Sequence, residues 1–192
     1  MPHYRWKGTV DSVSHTYVCG YCGATTAPNK AYINEPNDSV PVRIYICSAC
    51  SQPTYVDPKG KQYPAVRLGV DVGGISDAGV KQLYSEARDC TAAGAYTAAV
   101  MLCRKLLMNV SVHLGAQPGE SFQSYITYLW DQHYVPINSK AWMDHIRKKG
   151  NEANHEIHTM TEADAKELLK FTEMLLRLVY EFPSSAPSPP PP

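Results

Sequence analysis

The sequence predicts an α+β protein, a small cysteine-stapled β module followed by a five-helix bundle. Three observations carry this prediction. Two Cys-x-x-Cys pairs lie in a Tyr-, Val-, Thr- and Pro-rich stretch with short alternating apolar runs. Beyond about residue 75 the apolar spacing changes from strand-like to helical. The chain is 192 residues long and 44% hydrophobic, enough for one sizeable core beside a small module.

Three parts follow in order: a β module at 1–70, a helical domain at 71–183 and a Pro-rich tail at 184–192. In the first, Trp6–Val10 and Val42–Ile46 alternate as strands do, and Tyr32 and Ile33 supply the partner of a hairpin. Tyr55–Gly74 reads as a connector punctuated by Pro58, Gly60, Pro64, Gly73 and Gly74, with one strand, Ala65–Val70, inside it.

Ser76 or Asp77 then caps a helix that runs to about Ala92, and Gly94 breaks it. A second helix, Ala95–His113, carries the stripe Ala95, Ala98, Ala99, Leu102, Leu106 and Val110. After a turn at Gly115–Glu120, a third helix covers Ser121–His133 and stops ahead of Pro136. The fourth starts near Asn138 and reaches at least Lys149. The fifth starts at Thr161, where Thr161 and Asp164 form a capping box, and runs to about Glu181. Residues 184–192 hold too little apolar surface for a core and read as a solvated, polyproline-like end.

The charge balance is even, 18 basic against 18 acidic residues, which excludes a histone-like coat but not a local basic patch. The stretch 1–70 has seven basic and four acidic residues, and the remainder eleven and fourteen. Met1–Gly8 has no apolar run, and no stretch reaches 18 apolar residues. Neither a signal peptide nor a membrane span is expected, and a cytoplasmic location follows. No HExxH, GxGxxG or Walker A pattern is present.

Cys19-Gly-Tyr-Cys22 is followed, after 24 residues, by Cys47-Ser-Ala-Cys50. Two such knuckles across a hairpin have the spacing of a tetrahedral four-thiolate zinc site, so Cys19, Cys22, Cys47 and Cys50 are the expected ligands of a zinc ribbon. Disulfides would require an oxidising compartment, and a redox pair explains one Cys-x-x-Cys but not two. A closed four-cysteine site is structural rather than catalytic. Gly20 and Gly23 ease the first knuckle, and His15 is a conceivable alternate ligand. Lys30, Arg43, Lys59, Lys61 and Arg67, interleaved with Tyr17, Tyr21, Tyr32 and Tyr45, read equally as a nucleic-acid face or as a Tyr-rich solvated surface. Cys90 and Cys103 fall among apolar helical neighbours and read as inert buried thiols.

The second cluster is Arg147-Lys-Lys-Gly-Asn-Glu-Ala-Asn-His155. In a helix that continues through Gly150, Arg147, Asn151 and His155 lie at i, i+4 and i+8 on one polar stripe about 12 Å long. Arg104, in the middle of the second helix, either supports this site or pairs with a carboxylate such as Glu86 or Asp89, and the pairing is the favoured reading.

Three segments carry a resemblance: Leu83–Leu107 (LYSEARDCTAAGAYTAAVMLCRKLL), His145–His155 (HIRKKGNEANH) and Ala163–Pro183, closing on LLRLVYEFP. Over about residues 75–183 the chain resembles the DUF4145 family, in which a zinc-ribbon-like N-terminal extension is familiar. The resemblance implies a HEPN-like helical bundle. It further implies a homodimer that acts on or binds RNA in a phage-defence or toxin context, as a metal-independent endoribonuclease or as a non-catalytic adaptor that binds nucleic acid or a defence-system protein. The group's motif is an arginine, four to six residues and a histidine. It maps onto His155, with Asn151 as polar helper and Arg147 or Lys149 as the cation, at seven and five intervening residues. In the nuclease, His155 would move the proton of the RNA 2′-hydroxyl and the cation would stabilise charge on the phosphate.

Overall fold

The computed structural model describes residues 8–11, 15–33, 43–155 and 159–185, without the side chains of 137 and 153–155. The chain divides into two compact units, Met1–Arg67 and Leu68–Pro192.

In the first unit a five-stranded antiparallel sheet has the order β1-β4-β5-β6-β7, formed by β1 (Val10–Asp11), β4 (Lys30–Ile33), β5 (Arg43–Ile46), β6 (Pro53–Val56) and β7 (Gln62–Tyr63). A separate hairpin pairs β2 (Tyr17–Val18) with β3 (Thr25–Thr26). The β4–β5–β6 register puts Ala31, Tyr45 and Thr54 in one row, and all three are buried. The neighbouring row, Tyr32, Ile44, Tyr55 and Tyr63, points to the opposite face, as a period of two requires. Sequence reading places the hairpin strands correctly but takes β6 and β7 for connector. The Asp57 carboxylate accepts from the amides of Lys59 and Lys61 at 2.9 and 2.7 Å and folds that Pro/Gly segment into a tight turn between two strands. Ala65–Val70 forms no strand. Of Trp6–Val10, only Val10 enters the sheet, and residues 1–7, like Val42, lie outside the described residues.

The second unit holds α1 (Ala78–Ala92), α2 (Tyr96–His113), α3 (Phe122–Asp131), α4 (Lys140–His155) and α5 (Glu162–Leu176). The chain continues from α5 through a π-helical turn, Arg177–Glu181, into α6 (Phe182–Ser185), so Ser184 and Ser185 are helical rather than tail; residues 186–192 lie outside the described residues. The caps are those the sequence indicates. Asp77 accepts from the amides of Gly79 and Val80, Ser121 from Ser124, and Thr161 and Asp164 form a reciprocal capping box. Leu106, Leu107, Leu129, Ile146, Leu168, Phe171 and Leu175 are fully buried where the helices meet. Cys103 is fully buried among them, while Cys90 is half-buried at the margin. Among the described residues no helix is long and apolar enough to cross a membrane.

Residues 68–74 form a strap along α1 and the end of α5. Arg88 donates from Nε to the Leu68 carbonyl (3.1 Å), from Nη2 to the Gly69 carbonyl (3.2 Å) and from Nη1 to the Asp71 carboxylate. The Tyr84 hydroxyl donates to the Val70 carbonyl (2.8 Å). Glu173 accepts from the Val70 amide (3.0 Å) and Glu181 from the Gly73 amide (2.8 Å).

Candidate metal centre and polar groove

The two Cys-x-x-Cys knuckles have one design. The amide of Cys19 donates to the Ala24 carbonyl and that of Gly23 back to the Cys19 carbonyl, at 2.9 and 2.8 Å. The amide of Cys47 donates to Gln52 and that of Ser51 to Cys47, at 3.0 and 2.9 Å. Each turn places its fifth residue in the left-handed region, Gly23 at φ 71° and Ser51 at φ 60°. Gly20 does not serve the turn by a positive φ. A Cβ there would stand 2.3 Å from the Pro64 carbonyl oxygen, so the glycine is required for close approach.

The knuckles bring the four sulfurs within 4.8 Å of one another. Cys19 Sγ lies 3.8 Å from Cys50 Sγ, and Cys22 Sγ lies 3.8 Å from Cys47 Sγ. A tetrahedral zinc ion with Zn–S bonds of about 2.3 Å has sulfurs about 3.8 Å apart along each edge. The donor set therefore fits a metal ion with that preference. Cys19, Cys47 and Cys50 are buried and Cys22 is exposed. Burial pushes the Cys50 thiol up to about 12 and raises that of Cys19. At Cys47 the backbone amides of Cys50 and Ala49 overcome the same desolvation and lower it. His15 does not join the cluster; its ring stacks on Tyr45, centroids 4.9 Å apart.

Two tyrosines of the interleaved basic and aromatic set read from the sequence do not reach the surface. Tyr17 and Tyr45 are buried beneath the sheet, and Arg43 donates to the Tyr45 hydroxyl at 3.3 Å. On the opposite face Tyr55 stacks on Tyr63, and the ammonium of Lys61 covers the Tyr63 ring at 5.1 Å.

In the second unit α4 does continue through Gly150, and Arg147 and Asn151 fall on one side of it as predicted. Both line a concavity of about 790 Å³ with Asp144, His145, Lys148 and Glu152 of α4 and Gln123 of α3. Gln123 also belongs to a second hollow of about 490 Å³ on α3 and its cap, lined by Ser121, Ser124, Thr127, Tyr128 and Asp131, and the first concavity is the groove between α3 and α4. Arg147 is half-exposed and pairs with Asp144 at 3.3 Å. His145 shares a 2.6 Å hydrogen bond with Glu167.

Lys149 departs from its predicted role. Its ammonium sits 2.9 Å from Asp164 and 3.2 Å from Glu152, tying α4 to the start of α5. These hydrogen bonds raise its pKa, and its charge is already balanced by two carboxylates. Although burial raises the Asp164 carboxyl, the Thr161 hydroxyl and amide and the Lys149 ammonium hold it at about 2. His155 is the last residue of α4, and its side chain lies outside the described residues.

For Arg104 the favoured carboxylate pairing is not found, and its partners lie beside the candidate site. Among the described residues it pairs with no carboxylate; Glu86 instead accepts from the Gln82 amide. Arg104 Nη1 donates to the Gly150 carbonyl (2.8 Å) and to Asn151 Oδ1 (3.1 Å). Its guanidinium covers the Phe122 ring at 4.3 Å. On that same ring, an added Cβ at Gly150 would stand 2.3 Å from Phe122 Cε1. Arg104, Phe122, Gly150 and Asn151 thus interlock where α2, α3 and α4 meet. The only sequence signal was a glycine placed inside an otherwise helical segment.

The family model described as a domain of unknown function, DUF4145, matches residues 85–188, and the chain belongs to that family. No curated protein and no solved structure matches the chain.

Proposed function

We propose that this DUF4145 protein carries a structural zinc ion on its N-terminal ribbon and binds single-stranded RNA along the α3–α4 groove. The carrying observation for RNA is the concavity of about 790 Å³, in which Arg147 and Lys148, paired with Asp144 and Glu152, stand beside the amide of Asn151. For zinc it is the pair of 3.8 Å sulfur–sulfur distances in a four-cysteine set. Bound zinc would draw the four thiols to thiolates and lend folding energy to a unit with a small core. The HEPN-like reading, a homodimer in a defence or toxin setting, accompanies this proposal.

A second reading has one observation in its favour. Asn151 and His155 lie one turn apart on α4, at its groove-lining end. His155 would accept the proton of a ribose 2′-hydroxyl as that oxygen attacks the adjacent phosphorus. The P–O5′ bond then breaks, the 5′-oxygen takes up a proton and a 2′,3′-cyclic phosphate remains. This chemistry needs no metal.

The test uses fluorescence anisotropy with a labelled single-stranded RNA, metal analysis of the same sample and a cleavage assay in EDTA. Expected are one zinc per chain, saturable RNA binding and at least tenfold weaker binding by Arg147→Ala. Cleavage that disappears in His155→Ala supports the second reading. A folded, zinc-loaded protein that binds no RNA refutes the first and leaves a protein-docking adaptor. A metal-free Cys47→Ser variant with unchanged fold and stability would refute the structural zinc.

A further inference from the structure

Arg104 holds a formal charge with no opposite charge beside it among the described residues. It is half-buried, and burial lowers its pKa, the direction expected of a cation stripped of water without compensation. Evolution commonly meets that cost with a carboxylate, and among the described residues none is in reach. What the site supplies instead is orientation. The Phe122 face and the Gly150 carbonyl fix the guanidinium plane, and the hydrogen bonds to Gly150 and Asn151 both leave from Nη1. Nε and Nη2 have no hydrogen-bond partner among the described residues, and the side chain is only partly buried.

Asn151 completes the arrangement. Its Oδ1 accepts from Arg104, and its Nδ2 group, which can only donate, has no partner among the described residues. Asn151 lines the groove, and Arg147, about 6 Å earlier along the helix axis, lines it too. Asp144 and Glu152 of the same lining balance Arg147 and Lys148, so the N–H donors and the unbalanced positive charge beside Asn151 are its own amide and the Arg104 guanidinium, from two helices. Such a set suits a ligand that only accepts hydrogen bonds and carries negative charge over two or more oxygens.

We propose that Arg104 and Asn151 form an oxyanion-binding pair whose ligand is a phosphodiester of the RNA backbone. The proposal rests on the RNA reading of the groove and sharpens it. Arg104 supplies the fork that Lys149, already neutralised by Asp164 and Glu152, does not.

The competing role is a neutral brace between α2 and α4. A brace affects stability but does not change how many phosphates are contacted. The experiment measures the Kd of a labelled ten-nucleotide single-stranded RNA from 50 to 300 mM KCl for the full chain, Arg104→Gln and Arg104→Lys. Inorganic phosphate is titrated in parallel while the Arg104 Nε–Hε NMR signal is followed. Expected are at least tenfold weaker binding in Arg104→Gln and a salt slope smaller by about 0.7, the loss of one single-strand phosphate contact. Arg104→Lys keeps the charge and a bond to Gly150, so it reports on the fork even if the glutamine variant does not fold, and it should weaken binding several-fold. Wild-type affinity and slope in a folded variant overturn the pair while leaving RNA binding intact. A phosphate-dependent shift of the Nε–Hε signal, lost in Asn151→Ala, in a chain that binds no RNA supports the pair and refutes RNA as its source. No RNA binding and no shift overturn both. An equal response to acetate overturns phosphate as the ligand class.

Discussion

Replacing Gly150 with alanine sets two opposing magnitudes against each other. In an exposed helix interior the change is favourable by about 1 kcal/mol, because alanine loses less backbone entropy. Here the new Cβ would lie 2.3 Å from Phe122 Cε1, 2.9 Å from Cζ and 3.0 Å from Cδ1. Ordinary carbon contacts begin near 3.5 Å, so the ring edge must retreat by more than ~1 Å. Phe122 is only 2% exposed and has the Arg104 guanidinium 4.3 Å from its centroid, so it has little room to retreat. Overpacking of this kind costs roughly 1–3 kcal/mol and sometimes more. Taking the upper part of that range against the helical gain leaves a net loss of about 2 kcal/mol. For a unit of this size that is a fall in Tm of about 5–10 °C. Differential scanning calorimetry of the zinc-loaded chain measures it, and Gly150→Ala combined with Phe122→Leu should recover part of the loss. A Gly150→Ala chain as stable as the parent, or about 1 kcal/mol more stable, would refute the interlock.

Three further outcomes are expected. Ser51→Val, which forces a β-branched residue to φ 60°, should cost about 1–2 kcal/mol in the ribbon and lower its zinc retention against a chelator, whereas Ser51→Gly should not; equal retention by both would count against the turn geometry. Asp164, 14% exposed and held at about 2 against about 3.9 in the unfolded chain, stabilises the fold above about pH 4 and loses that contribution as pH falls toward 2. After allowance for solvent screening this is on the order of 1 kcal/mol, and Lys149→Met should raise the acid-unfolding midpoint; an unmoved midpoint refutes the coupling. Arg88→Met removes three hydrogen bonds from the strap and should cost about 1–2 kcal/mol by urea denaturation, with faster proteolysis at residues 68–74, and unchanged cleavage there would show the strap is held by other contacts.

What was legible in the sequence was local. The cysteine spacing implied the sulfur cluster because a knuckle is made by neighbouring residues and needs only its own amides. The Thr161–Asp164 box and the Asp77 cap were legible for the same reason. Arg147 and Asn151 were placed together correctly because four residues return a helix to nearly the same side. Lys149 was misplaced against that same rule, since two residues turn a helix by about 200° and carry it to the far side. The strands β6 and β7 were lost because a Pro/Gly-rich turn and a connector look alike until the Asp57 carboxylate is seen to close the turn. The Arg104–Asn151 contact joins residues 47 positions apart, and no periodicity reports on it.

The strap along α1 gives the order of synthesis a role in folding. Val70 and Gly73 leave the ribosome early, but the carboxylates that receive their amides are made 103 and 108 residues later. Until Glu173 and Glu181 emerge, the hydrogen bonds available to this seam among the described residues are those of its α1 partners, Arg88, Tyr84 and Thr91. Closing it joins the first and last segments of the helical unit, so a ribosome stalled within α5 would hold a chain whose opening stretch is still half-tied and open to proteases.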